Sequence, residues 1–507
     1  MGCHYYAVNP DVTWSSGACY AAFVANTWSQ PIQIDVEFDG QVLDASSFAR
    51  IPSGNGQAVT YQPLPNGELP AGEIAILFLA QFGPQQLYTP ACPAGITPAV
   101  STEDAALHGT GIGRSFMIQT SAPVVTYDIF PYGGGWSAIT SATLLFPTSA
   151  WGDNYIAVAP YQWTMSDPNL YSWIQIIAAE DGTDVTISPT AAILDGGGLT
   201  GTPQGTPKTY PLQKGQVLQF TQDAVLTGSP IQATKPIAVV GGNRCMVIPA
   251  NQSACDAGHQ MIPPVSALGF EYAAARYRDR HANTPESPPY RILGAVDGTT
   301  LTYEPSQPSG APSTIGSGEI VEFNAASAFV VKSQGDTHPF YMSAHMTGCT
   351  TVGGNMMDCR GDPETVNVIP TAQYLNEYVF FTDPTYPETN LVFIRKKTAD
   401  GFKDVELDCL GPLTGWQPIN ADYEVTRIDL VTGNFEPQGA CDNGRREATS
   451  EGPFSITVWG WGSAVTGGAI DPNTSANGFY SQYVSYAYPA GAGVKVITQI
   501  EVPPVPR

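Results

Sequence analysis

The chain has 507 residues, of which 43% are hydrophobic but only 13% charged, and its net charge is −24. Twenty-one basic residues scattered among forty-five acidic ones exclude a nucleic-acid partner, because a phosphate backbone demands clustered Lys and Arg. No apolar run approaches the roughly 20 residues of a membrane span. The acidity suits solubility, cation-rich surroundings or a basic partner.

The length allows about three or four domains. With 52 Gly, 44 Pro and 24 Tyr, polarity comes from small and turn-forming residues. That profile predicts an all-β protein. The chain opens on Met1-Gly2-Cys3-His4 and runs straight into Tyr5-Tyr6-Ala7-Val8. It has neither the basic nor the apolar region of a signal peptide. An exported form therefore carries its targeting segment outside this sequence, which leaves Cys3 open to pairing upstream.

Four landmarks then recur in a fixed order. The first is an apolar stretch, a Pro turn and a new strand. It reads Leu144-Leu145-Phe146-Pro147 to Gly152, then Met261-Ile262-Pro263-Pro264 to Gly269, then Val368-Ile369-Pro370 to Leu375. These copies lead to Tyr155, Tyr272 and Tyr378. The second is Asp-Gly, at Asp39-Gly40, Asp181-Gly182, Asp297-Gly298 and Asp400-Gly401. Asp-Gly between alternating runs predicts hairpin turns.

The third is a Gly turn before an apolar strand, at Gly72, Gly215 and Gly318. The fourth is Pro entering a buried strand, at Pro123, Pro236, Pro339 and Pro453, spaced 113, 103 and 114 residues apart. The pattern predicts four repeated β units, sandwich- or blade-like, over 1–140, 141–258, 259–362 and 363–483. A segment over 484–500 is expected to add a strand to the first unit and close the array into a ring. A large β-propeller is the alternative, and an open solenoid with end caps another.

Nine cysteines add a framework. The spacings predict disulfides Cys245–Cys255, Cys349–Cys359 and Cys409–Cys441, leaving Cys3, Cys19 and Cys92. Zinc is disfavoured by the absence of a CxxC pair and an HxxxH partner. Disulfides imply an oxidising compartment, secreted or at the cell surface.

No GxSxG elbow, HExxH or phosphate loop occurs. Six dispersed histidines form no ligand spacing. The acidic, proline-rich stretches offer Asp362, Glu364, Asp383 and Glu388 as candidate calcium ligands. Turn initiation is the plainer role of Asp-Pro and Pro-Glu. No other cofactor is indicated. Tyr132, Trp136, Trp459 and Trp461, which stand beside Gly residues, and Trp163, in Trp163-Thr164-Met165, are candidate ligand-contact aromatics.

The run Leu145-Phe146-Pro147-Thr148-Ser149-Ala150-Trp151-Gly152-Asp153-Asn154-Tyr155 resembles a signature of the IgGFc-binding protein N-terminal domain family. So does Gly241-Gly242-Asn243-Arg244-Cys245 through Cys255-Asp256-Ala257-Gly258-His259-Gln260-Met261-Ile262-Pro263-Pro264. Here Ala257 stands where His is usual, and His259 where Glu is usual. The stretch Gly361-Asp362-Pro363-Glu364 to Asn390-Leu391-Val392 is similar to bacterial, especially myxobacterial-type, members. The resemblance spans roughly Cys19 to Ile497. It implies a secreted or surface protein, and the repeated β units with their aromatic loops predict an extracellular or cell-surface binding or adhesion protein, non-catalytic, recognising a protein or glycan. A secreted polysaccharide-acting hydrolase and a structural matrix component are the rivals. Oligomeric state is left open.

Overall fold

The computed structural model describes residues 1–86, 89–134, 139–161, 167–252, 255–352, 360–433, 435–462 and 483–506. Regular structure in them is nearly all β. The one α-helix among the described residues is a single turn, Ala45–Phe48, capped by the Asp44 side chain. Among the described residues, no helix is long and apolar enough to cross a membrane.

Strands gather into four groups, each built on one long strand. These are Phe116–Phe130, Pro230–Met246, Gly444–Trp461 and, in two pieces, Phe329–Lys332 followed by Phe340–Met346. The two halves of each long strand have different partners. Residues 116–120 pair with Ile32–Phe38, whereas 125–129 pair with Tyr20–Ala25. In the second group Ala233 faces Val185, but Ile237 faces Ala178. In the fourth, Ser450 faces Val405, but Phe454 faces Arg395.

Pro123, Pro236 and Pro453 sit at these changeovers, and Pro339 fills the break in the third group. Proline has no N–H to give a ladder, so it fits where a strand leaves one set of partners for the next.

The Asp-Gly turns follow the same logic. Asp39 and Gly40 both take positive φ (51° and 73°) and close a hairpin between Ile32–Phe38 and Gln41–Leu43. Asp181-Gly182 does not make the hairpin the sequence predicts. Ser172–Ala178 before it and Thr183–Ile187 after it both pair with the long strand, on its two successive halves. The turn is a corner between sheets. Local sequence specifies the bend but not which partner each arm takes.

After each long strand comes an inner strand: Ser141–Leu145, Asp256–Ile262, Glu364–Asn367 and Ser485–Pro489. Each pairs backwards with the long strand of its own group. This corrects the sequence reading of the C-terminal segment. Ser485–Pro489 completes the fourth group by pairing with Thr457–Trp461; it adds no ladder to the first.

The inner strands pack side by side, the first and third each against both the second and the fourth. Side chains tie them together. Gln260 Nε2 donates to Ala142 O (2.8 Å), Asn367 Nδ2 to Met261 O (2.8 Å), Ser485 Oγ to Asp362 O (2.9 Å) and Thr140 Oγ1 to Ser485 O (2.5 Å).

A tyrosine corner recurs in every group. Tyr5, Tyr155, Tyr272 and Tyr378 donate to the carbonyls of Val124, Ile237, Phe340 and Phe454, each at 2.6 Å. Each acceptor is the residue after the changeover proline. Each hydroxyl also accepts the N–H of the residue three positions earlier, Gly2, Gly152, Gly269 or Leu375. Three of these four are Gly for a packing reason: a Cβ would stand 2.2–2.7 Å from Pro147, Pro264 or Pro370.

Cys245–Cys255 and Cys409–Cys441 pair as expected. Cys359 lies outside the described residues. Cys19 bonds Cys92 across 73 residues, and Cys3 is free. A cross-link over so long a loop restricts the unfolded chain by about 4 kcal/mol. The Cys19→Ser/Cys92→Ser double variant is expected to lose about that much in urea unfolding.

Candidate functional site

The first residues of the four inner strands, Ser141, Asp256, Glu364 and Ser485, are buried where the strands converge. Their side chains reach across diagonally. Ser141 Oγ donates to Glu364 Oε1 at 3.2 Å, and Ser485 Oγ lies 3.4 Å from Asp256 Oδ2. Ser485 already donates to the Asp362 carbonyl, which can only accept. The longer contact is therefore a hydrogen bond only when Asp256 carries the proton. Burial pushes Asp256, Asp362 and Glu364 well above the usual carboxyl range, and Asp256 is raised further by the other two. The arrangement favours shared protons over paired charges.

Two calcium candidates, Asp362 and Glu364, thus meet at this point. Glu388 is instead ion-paired with Arg278 and accepts from Trp461 Nε1 at 3.1 Å. Asp383 Oδ1 accepts from the N–H and hydroxyl of Thr385 at 2.8 and 2.7 Å. No group of three or more His, Cys, Asp and Glu side chains among the described residues is placed to hold a metal ion.

Burial pushes Asp383 up to about 6 against the pull of the Thr385 hydrogen bonds. A carboxyl raised on folding contributes stability that is complete below its ordinary value, near roughly 3.9, and is lost as pH rises through the folded value. Asp383→Asn is therefore expected to raise the urea midpoint at pH 8 and leave it unchanged at pH 4.

The candidate aromatics divide differently from the sequence expectation. Trp136 and Trp163 lie outside the described residues. Tyr132, Trp459 and Trp461 are interior, at 1%, 1% and 0% exposure. Trp459 and Trp461 end a long strand flanked by neighbours on both edges, Glu388–Lys396 and Ser485–Pro489. Both pack on Tyr277, and the Arg278 guanidinium covers Trp461. Tyr132 bonds the Tyr61 hydroxyl at 2.9 Å inside the first group.

Among the described residues the large exposed aromatics are others: Trp14 (49%), Trp28 (47%) and Phe82 (43%), all in the first group. Their one sequence signal is that they fall outside the recurring landmarks. The segments carrying Trp14 and Phe82 are stitched together by Gly17 N–H to Phe82 O (2.7 Å) and Ser16 Oγ to Pro84 O (3.0 Å).

Two fully buried histidines, His259 and His345, sit in polar pairs. His259 Nε2 is 2.8 Å from Asp128 Oδ1, and His345 Nε2 is 3.0 Å from Ser343 Oγ. The second pair has the elements of an activated serine. Yet burial and Arg291 keep the His345 imidazole neutral, and its Nδ1 has no orienting partner. The adjoining cavity measures about 10 Å³, room for a water at most.

Larger cavities lie where the first and fourth groups meet. One of 390 Å³ is lined by Trp28, Phe146, Tyr378, Ala492 and neighbours. Another of 350 Å³ is lined by Asn55, Glu73, Arg445, Arg446 and neighbours. The cavity between the third and fourth groups measures 20 Å³.

The family profile described as IgGFc binding protein matches residues 141–460, a narrower span than the sequence reading drew. The IgGFc-binding protein of Homo sapiens is 22% identical over 298 residues, 58% of this chain. That match spans 5% of the human protein, so the chain corresponds to a small part of it. The matched span takes in the second, third and most of the fourth group, with their proline changeovers and tyrosine corners, and on it the chain belongs to the IgGFc binding protein family.

Proposed function

We propose that this chain is a secreted or cell-surface protein-binding module without catalytic activity. The observation that carries the reading is a division between interior and surface. The carboxyls at the inner strands and the Ser343–His345 pair are buried, while Trp14, Trp28 and Phe82 are open to solvent. Half-exposed Trp and Phe beside a disulfide-anchored loop suit a protein partner, since such side chains bury large area at low entropic cost. Family membership and the disulfides support an extracellular setting. The links among the four inner strands support a ring-like array. A polysaccharide hydrolase needs two carboxyls facing one open cleft, and Asp256, Asp362 and Glu364 are at most 1% exposed.

The test is binding of the purified chain to immobilised immunoglobulin Fc, secreted glycoproteins and a glycan array, with and without calcium. Saturable binding to a protein, weakened about tenfold or more by Trp14→Ala or Phe82→Ala, supports the reading. Binding only to glycans, or to nothing, contradicts it.

A further inference from the structure

Residues 491–506 form no regular element, yet they are fastened across three groups. Gln373, 2% exposed, ends the turn that leads into the fourth group. Its side-chain amide grips the backbone of Lys495 twice: Lys495 N–H donates to Oε1 (2.9 Å), and Nε2 donates to Lys495 O (2.7 Å). In the corresponding turn before the third group, Ser266 O accepts from Ile497 N–H (2.7 Å) and Thr498 N–H (3.2 Å). Asn154, 5% exposed at the start of the second group, repeats the amide grip on Val502: Val502 N–H donates to Oδ1 (2.8 Å), and Nδ2 donates to Val502 O (2.9 Å). Ser188 Oγ adds a bond to Val505 O at 2.9 Å.

All these bonds use the backbone of the segment, so the groove reads an extended main chain, as a sheet edge reads an added strand. Register comes from side chains at every second position. Thr498 and Val502 are buried and Ile500 and Pro504 half-buried, whereas Gln499, Glu501, Pro503 and Val505 are exposed. Val502 and Ile500 pack into the core that the second and third groups share.

The approach to this seat is strained. Gly493 N–H is held by Gln373 O at 2.9 Å, and only Val494 separates that bond from the grip on Lys495. Turning within one residue puts Val494 at φ 37°, a left-handed conformation that a β-branched side chain disfavours. A short hinge under strain favours handing the segment to a neighbouring molecule.

We propose that two copies of this chain pair by exchanging residues 495–505, each segment seated in the groove of the other copy, with Val494 as the hinge. In such a pair the groove bonds are kept and are made between copies, so they do not oppose exchange. Relief at the two Val494 hinges favours it, and the freedom lost on association opposes it, so exchange rises with concentration. The interface is isologous, with the same groove and the same segment contributed by both copies.

Full-length chains carrying two different affinity tags, mixed and incubated over a concentration series, should co-purify and run as a dimer in size-exclusion chromatography with light scattering. An excess of a synthetic peptide of residues 494–505 should suppress that dimer. Val502→Pro removes the N–H that Asn154 accepts and should weaken the dimer about tenfold or more. Val494→Gly relaxes the hinge and should lower the dimer fraction about fivefold. Trp14→Ala, on the surface assigned to a protein partner, should leave the dimer unchanged. Should Val502→Pro disturb the near-ultraviolet circular dichroism, the peptide competition, which needs no variant, decides. A monomer at every concentration, a dimer indifferent to the peptide and to Val502→Pro, or a dimer lost in Trp14→Ala would overturn the proposal.

Discussion

Trp461→Ala is expected to destabilise the chain by about 3–5 kcal/mol, the usual cost of emptying a large aromatic site in a packed core. The indole is fully buried, packs on Tyr277, and donates to Glu388. Its removal also strips the Arg278 guanidinium of the ring beneath it. Trp28→Ala provides the contrast. That ring is 47% exposed, and its loss should cost under about 1 kcal/mol. Urea unfolding of the two variants checks both figures. In any binding assay, loss of signal in Trp461→Ala should follow its unfolded fraction, whereas loss in Trp28→Ala should occur in folded protein.

Breaking the Arg280–Glu286 pair is expected to cost about 3–5 kcal/mol from either side, because each change strands an uncompensated buried charge. Arg280 is 1% exposed and Glu286 2%. Arg280 Nη2 meets Glu286 Oε2 at 2.9 Å and Thr347 Oγ1 at 3.1 Å, and its Nη1 donates to Arg360 O at 2.9 Å. Glu286 also accepts from the Arg280 N–H and the Tyr277 hydroxyl. Burial alone would raise the Glu286 carboxyl, but Arg280 prevails and holds it below its ordinary value. Arg280→Met and Glu286→Gln should each lower the urea midpoint strongly. The double variant Arg280→Met/Glu286→Leu should cost less than the sum of the two, since no charge is then left alone.

Much of this scaffold is legible in the sequence because its marks answer local constraints. Proline at a strand changeover, glycine packed against proline, and Asp-Gly at positive φ are each fixed by the backbone around them. Strand partnership is not local. The Asp181-Gly182 turn reads as a hairpin, yet both its arms pair with Pro230–Met246. The inner strands read as the start of each next unit because a Pro turn follows them, but their ladders run backwards. Cys19–Cys92 leaves no spacing signal at 73 residues.

The candidate site was less legible for the same reason. Trp459 and Trp461 beside Gly460 look like an exposed loop, but neighbouring strands pair along both edges. Gly460 is where the Tyr486 ring packs, leaving 2.0 Å for any Cβ. The pocket beside Trp28 draws on residues from both ends of the chain, so no stretch of sequence announces it.

The most direct test is a set of four single variants, Tyr5→Phe, Tyr155→Phe, Tyr272→Phe and Tyr378→Phe, compared by urea unfolding. Each hydroxyl bridges an N–H and a buried carbonyl, and removing one should cost about 1–3 kcal/mol. If one corner is built four times, all four midpoints fall by similar amounts. Midpoints that stay at the parent value, or fall in only one variant, would contradict a fourfold scaffold.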